Sequence, residues 1–138
     1  MKIGIAGTGR MGIAIGQRLI EQGDELVVWN RTKDRAKPLV TAGARMAASA
    51  ADLVGSVDIV ITILTNAEAI DAMYRGKDGL LSGDVAGKLF MEMSTVRPET
   101  EEKGNRCVEH AKKDQASMNR GRVNIKGLKQ RWVRQEYG

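Results

Sequence analysis

Four short runs of apolar residues recur along the chain. They read KIGIAG from Lys2, ELVVWN from Glu25, DIVITIL from Asp58 and LFMEM from Leu89. The runs are nearly continuous in apolar residues rather than alternating, which is typical of strands that are buried on both faces. The segment ARMA, which starts at Ala44, is a candidate for one more short strand. The pattern therefore predicts a parallel sheet with both faces covered.

Segments with helical spacing separate the predicted strands. Between the first two strands, Met11, Ile15 and Leu19 define one helix face, and Gly23 lies where a glycine commonly ends a helix. The alternation of strand and helix indicates parallel strands joined by crossover helices. Because such crossovers are right-handed, the predicted fold class is α/β, with a Rossmann-like doubly wound parallel sheet that forms a single nucleotide-binding domain.

The later helices are predicted from the residues at their ends. A weak helix over residues 35–42 has Pro38 near its first turn, where a missing N–H costs no hydrogen bond. Ser49 and Asp52 have the spacing of a capping box, and Asn66 can cap the helix that follows the DIVITIL strand.

A glycine-rich loop follows the first strand and opens the first helix. Gly7, Gly9 and Gly12 have the spacing G-x-G-x-x-G. In dinucleotide-binding domains the first glycine permits a tight turn, the second lets the backbone approach a pyrophosphate, and the third allows close packing of helix and strand. Amides at the helix N-terminus then face the anion. The candidate phosphate-binding residues are Gly7, Thr8, Gly9, Arg10, Met11 and Gly12. The alternative is a turn that binds nothing.

The residues after the second strand bear on which dinucleotide is bound. A site that prefers NAD usually has Asp or Glu there to hold the ribose hydroxyls, whereas this chain has Asn30, Arg31 and Thr32. Asn30 does not repel a 2′-phosphate, and the planar guanidinium of Arg31 suits phosphate oxygens. The predicted cofactor is NADP or NADPH, with NAD less favoured. The alternative is that Arg31 is a solvated surface charge and Thr32 a helix cap.

The motifs GTGRMG, WNRT, DIVITIL and MSTVRP together resemble the β-hydroxyacid dehydrogenases in order and spacing. This family includes 3-hydroxyisobutyrate dehydrogenase, the glyoxylate/succinic semialdehyde reductases and the N-terminal domain of 6-phosphogluconate dehydrogenase. The resemblance covers residues 1–110 and departs at Thr8, usually leucine, and at Gly16, more typically alanine or serine. It implies the NADP-binding domain of an oxidoreductase that transfers hydride between a nicotinamide cofactor and a small β-hydroxyacid or semialdehyde.

The resemblance also implies further cofactor-binding residues. Leu64 and Thr65 match the segment over which the family lays the cofactor toward its nicotinamide end. Ser94 and Thr95 match the pair beside the nicotinamide, where their hydroxyls would hydrogen-bond ribose or carboxamide. The alternative for Ser94 and Thr95 is capping of the next helix, and the two roles are compatible.

The family's catalytic lysine and glycine-rich substrate loop, which lie beyond its nucleotide domain, have no match in this sequence. No residue is therefore assigned as catalytic, and no metal site is predicted. The expectation is a truncated or frame-shifted family member that lacks the C-terminal helical domain. If it is active, a partner subunit supplies the missing groups; the alternative is a non-catalytic NADP-binding module. Without a second domain, the surface that this domain normally covers would be exposed and could pair with another copy of the chain. A homodimer is therefore one of the open alternatives.

Charge divides the chain near residue 111. Residues 1–110 carry 14 Lys and Arg against 15 Asp and Glu, whereas residues 111–138 carry 8 against 2. The expected organisation is an NADP-binding domain over 1–110 and a basic tail of unclear fold over 111–138, for which nucleic-acid binding is the less favoured interpretation. Cys107 is the only cysteine, and no apolar run approaches the roughly 18 residues of a membrane span. A cytoplasmic protein without a membrane segment is therefore expected.

Overall fold

Five parallel strands form one sheet in the computed structural model, which describes residues 1–94 and residue 109 of the chain. The strands are β1 Lys2–Ala6, β2 Glu25–Trp29, β3 Arg45–Met46, β4 Ile59–Thr62 and β5 Leu89–Glu92. Their order is β3-β2-β1-β4-β5, and every neighbouring pair is parallel. This doubly wound order confirms the predicted fold class. The predictions made for Thr95 and for the basic tail over 111–138 fall outside the described residues.

Helices and short 3-10 turns connect these strands. The helices are α1 Arg10–Glu21, α2 Lys37–Thr41, α3 Ala50–Ser56 and α4 Ala67–Arg75, with 3-10 turns at Lys33–Ala36 and Leu80–Ser82. The weak helix predicted over 35–42 is thus divided into a 3-10 turn and α2, with a proline in the first turn of α2. In this described part of the chain, no helix has the length and apolar character needed to cross a membrane.

The helix ends are held by the residues that the sequence indicated. After α1, the N–H of Gly23 donates to the Ile20 carbonyl at 3.0 Å and the N–H of Asp24 donates to the Leu19 carbonyl at 3.1 Å. Gly23 has a φ of +86°, so these bonds form the Schellman ending that a left-handed glycine permits. At the start of α4, the side-chain oxygen of Asn66 accepts from the backbone N–H three residues ahead at 2.8 Å.

The start of α3 differs from a reciprocal capping box. Ser49 Oγ accepts from the Asp52 N–H at 3.0 Å, as predicted. The Asp52 carboxylate, however, accepts from the Ala48 N–H at 2.9 Å and pairs with Arg45 at 3.4 Å. The hydrogen bond from Ala48 and the positive charge of Arg45 hold the pKa of Asp52 below its ordinary value.

Apolar side chains fill both faces of the sheet. On one face, α3 and α4 pack through a cluster that includes the fully buried Leu53, Val60 and Leu80. On the other face, α1 and α2 pack through a cluster that includes Ile5 and Leu39. Burial from both sides is the reason that the strands read as continuous apolar runs.

Gly16 allows α1 to pack tightly against α2. A Cβ at this position would lie 2.7 Å from both terminal methyl carbons of Leu39, which has no exposed surface. The leucine side chain therefore fills the space that an alanine or serine would need. This contact accounts for one of the two departures from the family pattern.

Candidate cofactor site

The glycine-rich loop lies where the order of the strands reverses. The loop follows the carboxyl end of β1, the central strand of the sheet. After β1 the chain adds β2 and β3 on one side of this strand, and then β4 and β5 on its other side. In open parallel sheets, ligands bind beside the carboxyl ends of the strands at such a switch point. The fold therefore brings the loop to the position where a ligand is expected.

Two of the three glycines are required by contacts within the protein. Gly7 has a φ of +102°, and a Cβ there would collide with the carbonyl oxygen of Ile63. A Cβ on Gly12 would collide with the carbonyl oxygen of Gly7. These positions are glycine because the turn and the helix approach neighbouring backbone closely, whether or not a ligand is bound.

Gly9 has no such explanation within the protein. Its φ of −73° is accessible to any residue, and apart from Gly9 and its two chain neighbours no described residue has an atom within 4 Å of a Cβ built on it. The space next to its backbone is open. A glycine in this position leaves that space available for a group that approaches the main chain closely.

The N-terminus of α1 offers backbone donors beside Gly9. No side chain caps this end of the helix, and no acidic residue lies in its first turn. The first N–H groups of a helix lack partners within the helix, and the helix dipole makes this end positive. Arg10 and Met11, which begin the helix, are both exposed. The arrangement suits an anion such as a pyrophosphate.

Thr8 contributes a buried hydroxyl without a partner. The residue is 1% exposed, and its Oγ1 has no hydrogen-bond partner among the residues that the structure describes. A buried hydroxyl without a partner costs free energy, so this group calls for an explanation. A ligand oxygen within hydrogen-bond distance of this hydroxyl would supply the missing partner.

The side chain of Asn30 connects the glycine loop to the loop after β2. Its Oδ1 accepts from the Thr8 N–H at 3.1 Å, and its Nδ2 donates to the Thr32 carbonyl at 2.8 Å. These two contacts fix the orientation of the amide and use its side-chain atoms within the protein. Sequence reasoning proposed Asn30 as a cofactor contact and missed this connecting role.

Arg31 and Thr32 lie at the surface next to this connection. Arg31 is exposed and forms no ion pair with the described residues, while nearby Asp34 is paired with Lys37 at 2.8 Å. The Lys37 hydrogen bond and charge lower the pKa of Asp34. Thr32 precedes the 3-10 turn, but its hydroxyl makes no capping hydrogen bond. The proposed helix cap is therefore not formed by this side chain.

The second half of the candidate site lies at the ends of β4 and β5. Ser94 is 7% exposed, and its Oγ accepts from the Leu64 N–H at 2.6 Å. Leu64 is half-buried and Thr65 is exposed. The hydrogen bond holds the β4–α4 loop against the end of β5, so Leu64 and Ser94 lie together. Thr95 lies beyond the described range.

A buried polar cluster supports this second half and was not predicted. Glu92 Oε2 accepts from Thr62 Oγ1 at 2.6 Å and from the Tyr74 hydroxyl at 3.2 Å, and its Oε1 accepts from the Ser94 N–H at 2.9 Å. Thr62 and Glu92 face each other in register on neighbouring strands. Burial, followed by the negative charge of Glu92, raises the pKa of Tyr74 well above its ordinary value. The sequence offered one signal for this cluster, because two of the apolar runs contain a polar residue near their ends. These residues are Thr62 in DIVITIL and Glu92 in LFMEM.

A five-stranded parallel sheet with this glycine loop at its switch point defines a Rossmann-like dinucleotide-binding domain. Comparison with known proteins identifies the family. Residues 2–119 match the family described as the NAD binding domain of 6-phosphogluconate dehydrogenase. The chain belongs to this family and carries its NAD(P)-binding domain.

Similar proteins include oxidoreductases of greater length. The chain is 39% identical over 115 residues to the uncharacterized oxidoreductase YfjR of Bacillus subtilis, covering 83% of this chain and 40% of that protein. It is 35% identical over 96 residues to glyoxylate/succinic semialdehyde reductase 2 of Arabidopsis thaliana, covering 70% of this chain and 27% of that protein. The chain thus spans less than half the length of these relatives.

A solved structure shares the same architecture. The imine reductase from Myxococcus stipitatus in complex with NADP+ superposes with a TM-score of 0.74 at 25% identity. The superposition covers 81% of this chain and 38% of that protein. The likeness is confined to a part of the larger enzyme, in agreement with the nucleotide-binding domain defined by the fold.

Proposed function

We propose that this chain binds NADP or NADPH in preference to NAD or NADH. The observation that carries the proposal is Gly9: the space beside its backbone is open, and nothing within the described protein requires a glycine there. The uncapped amides of α1 adjoin this space. The orphaned Thr8 hydroxyl is buried in the same loop. These features fit a pyrophosphate that lies against the loop.

Preference for the phosphorylated cofactor rests on Arg31. Its guanidinium is exposed and forms no ion pair with a described carboxylate, and Asp34, three residues further along the chain, is paired with Lys37. The connection made by Asn30 fixes the loop that carries Arg31 relative to the glycine loop. In the proposed site, Arg31 and Thr32 hold the 2′-phosphate, while Leu64, Thr65, Ser94 and Thr95 lie along the nicotinamide half.

A fluorescence titration with NADPH and NADH tests the preference. Trp29 ends β2 beside Asn30 and serves as a donor for energy transfer to either reduced cofactor. Loss of a charge-assisted hydrogen bond costs about 1.5–3 kcal/mol, so Arg31→Ala should weaken NADPH about tenfold to a hundredfold and leave NADH nearly unchanged. Equal affinities of the unaltered chain for the two cofactors would refute the preference.

Arg18→Ala is the matched control for this titration. Arg18 is exposed like Arg31 and pairs with Glu21 at 3.3 Å near the opposite end of α1. The substitution changes the net charge by the same amount but removes no group from the loop. It should therefore leave both affinities within about twofold.

We further propose that the bound cofactor serves a reductase or dehydrogenase acting on a small β-hydroxyacid or semialdehyde. The cofactor, when bound, would accept or donate the hydride, and the residues of this chain would bind and orient it. The similarity to a glyoxylate/succinic semialdehyde reductase supports this substrate class. Consumption of NADPH by this chain with glyoxylate or succinic semialdehyde would support the activity. Binding without turnover would instead support a cofactor-binding module.

A further inference from the structure

Glu92 occupies an unusual position for a carboxylate. It is the last residue of the edge strand β5, and its two oxygens accept from three different groups, which are the hydroxyls of Thr62 and Tyr74 and the backbone N–H of Ser94. Thr62 is fully buried and Tyr74 is 4% exposed. Water reaches these hydroxyls poorly, so the carboxylate is their principal acceptor.

The hydrogen bonds continue from Glu92 to the surface of the candidate site. Glu92 Oε1 holds the Ser94 N–H at 2.9 Å, and Ser94 Oγ in turn holds the Leu64 N–H at 2.6 Å. Ser94 Oγ acts as the acceptor in this bond, so the hydroxyl proton of Ser94 is still available to donate. That proton has no acceptor among the described residues. The carboxylate thereby sets the position of a hydroxyl donor through the backbone of Ser94.

We propose that Glu92 is a positioning residue for the nicotinamide half of the cofactor, acting through Ser94 and Leu64. The inference rests on the proposed function, because it assumes that a dinucleotide lies along the ends of β4 and β5. It assigns Glu92 no contact with the cofactor. Its effect is to fix the Ser94 hydroxyl and the β4–α4 loop before binding, so that less ordering is required on binding.

The test compares NADPH with 2′-phosphoadenosine 5′-diphosphate, which has the adenosine half and the pyrophosphate but neither the second ribose nor the nicotinamide. Glu92→Met removes the carboxylate at similar side-chain length. It should weaken NADPH binding about tenfold, the effect of losing roughly one positioned hydrogen bond, and leave the affinity for 2′-phosphoadenosine 5′-diphosphate within about twofold. Equal weakening of both ligands, or of neither, would overturn the proposal and leave Glu92 a structural residue.

Two further variants separate positioning from stability. Glu92→Gln keeps an oxygen that accepts from the Ser94 N–H, so it should retain most of the NADPH affinity that Glu92→Met loses. Tyr74→Phe removes one donor to the cluster without touching the link to Ser94, so it should lower stability but leave the ratio of the two affinities unchanged. A change in that ratio in Tyr74→Phe would contradict the proposed route.

The outcomes also distinguish this inference from the proposed function. If the unaltered chain binds neither ligand, the dinucleotide site fails, whereas normal binding with an unchanged ratio in the variants refutes the role of Glu92 alone. Should Glu92→Met fail to fold, Glu92→Ala replaces it, since water can enter at this half-buried residue and solvate the two hydroxyls. The same change in the affinity ratio is expected of that variant.

Discussion

Replacement of Thr8 by valine should stabilise the empty chain and weaken the cofactor at the same time. The two side chains have nearly the same shape, and both are branched at Cβ, so the change removes a hydroxyl without a new clash. The Thr8 hydroxyl is buried, with the residue 1% exposed, and has no partner in the part of the chain described. Stability and NADPH affinity should change in opposite directions because the Thr8 oxygen has no partner in the empty chain and would gain one from the cofactor.

The magnitudes follow from the cost of an unpaired buried group. Leaving a buried polar group unsatisfied costs about 1–3 kcal/mol, so Thr8→Val should raise the free energy of unfolding by about 1 kcal/mol or more. In the bound state a phosphate oxygen would satisfy the hydroxyl, and valine would lose that bond. NADPH should then bind about tenfold more weakly, since net hydrogen bonds are worth about 1 kcal/mol.

Urea unfolding with and without NADPH measures both effects in one assay. Ligand that binds only the folded chain raises its apparent stability by an amount set by concentration and Kd, so the valine variant should start higher and gain less. Thr62→Val is the matched control, because Thr62 is equally buried but bonded to Tyr74 and Glu92. That variant should be destabilised. A lower stability of Thr8→Val in the absence of ligand would refute the reasoning, as would unchanged NADPH affinity.

Other substitutions separate structural from ligand-related roles. Gly12→Ala should destabilise the chain by about 1–3 kcal/mol, because the added Cβ meets the Gly7 carbonyl. Gly9→Ala should change stability by less than about 1 kcal/mol yet weaken NADPH binding more than tenfold. Thermal unfolding measures the stabilities, and the cofactor titration measures the affinities. Asn30→Asp keeps an acceptor for the glycine loop but loses its donor and adds a negative charge, so the NADPH-to-NADH preference should fall in the same titration. The lowered pKa of Asp52 means that its stabilising effect is present at neutral pH and is lost as pH falls through that pKa. The difference in unfolding free energy between the unaltered chain and Asp52→Asn should therefore shrink below about pH 4, measured by urea unfolding across pH.

The elements that sequence reasoning predicted are those with local signals. The apolar runs became strands because burial on both faces selects continuous apolar residues. The starts of α3 and α4 followed from Ser49 and Asn66, whose partners lie three residues away. Such contacts are decided by spacing along the chain, so a pattern within a few residues contains the information.

The connections within the candidate site depend on contacts that are distant in sequence. Asn30 and Thr8 are 22 residues apart, and Glu92 and Thr62 are 30 apart. Their partners are defined only once the order and register of the strands are known. Sequence reasoning therefore predicted which loops form the site and assigned Asn30 to the ligand, but it did not predict that the Asn30 side chain bonds to Thr8 and Thr32.

The two unpredicted connections share a physical cause. In a parallel sheet the carboxyl ends of all strands lie at one edge, so polar side chains there meet each other as well as a ligand. Asn30 joins the loops after β1 and β2, and Glu92 with Ser94 joins the loops after β4 and β5. Each pair of loops borders one half of the proposed cofactor. A side chain that fixes one pair should affect its own half of the ligand more than the other, so affinities for cofactor fragments are the measurement that separates Asn30 from Glu92.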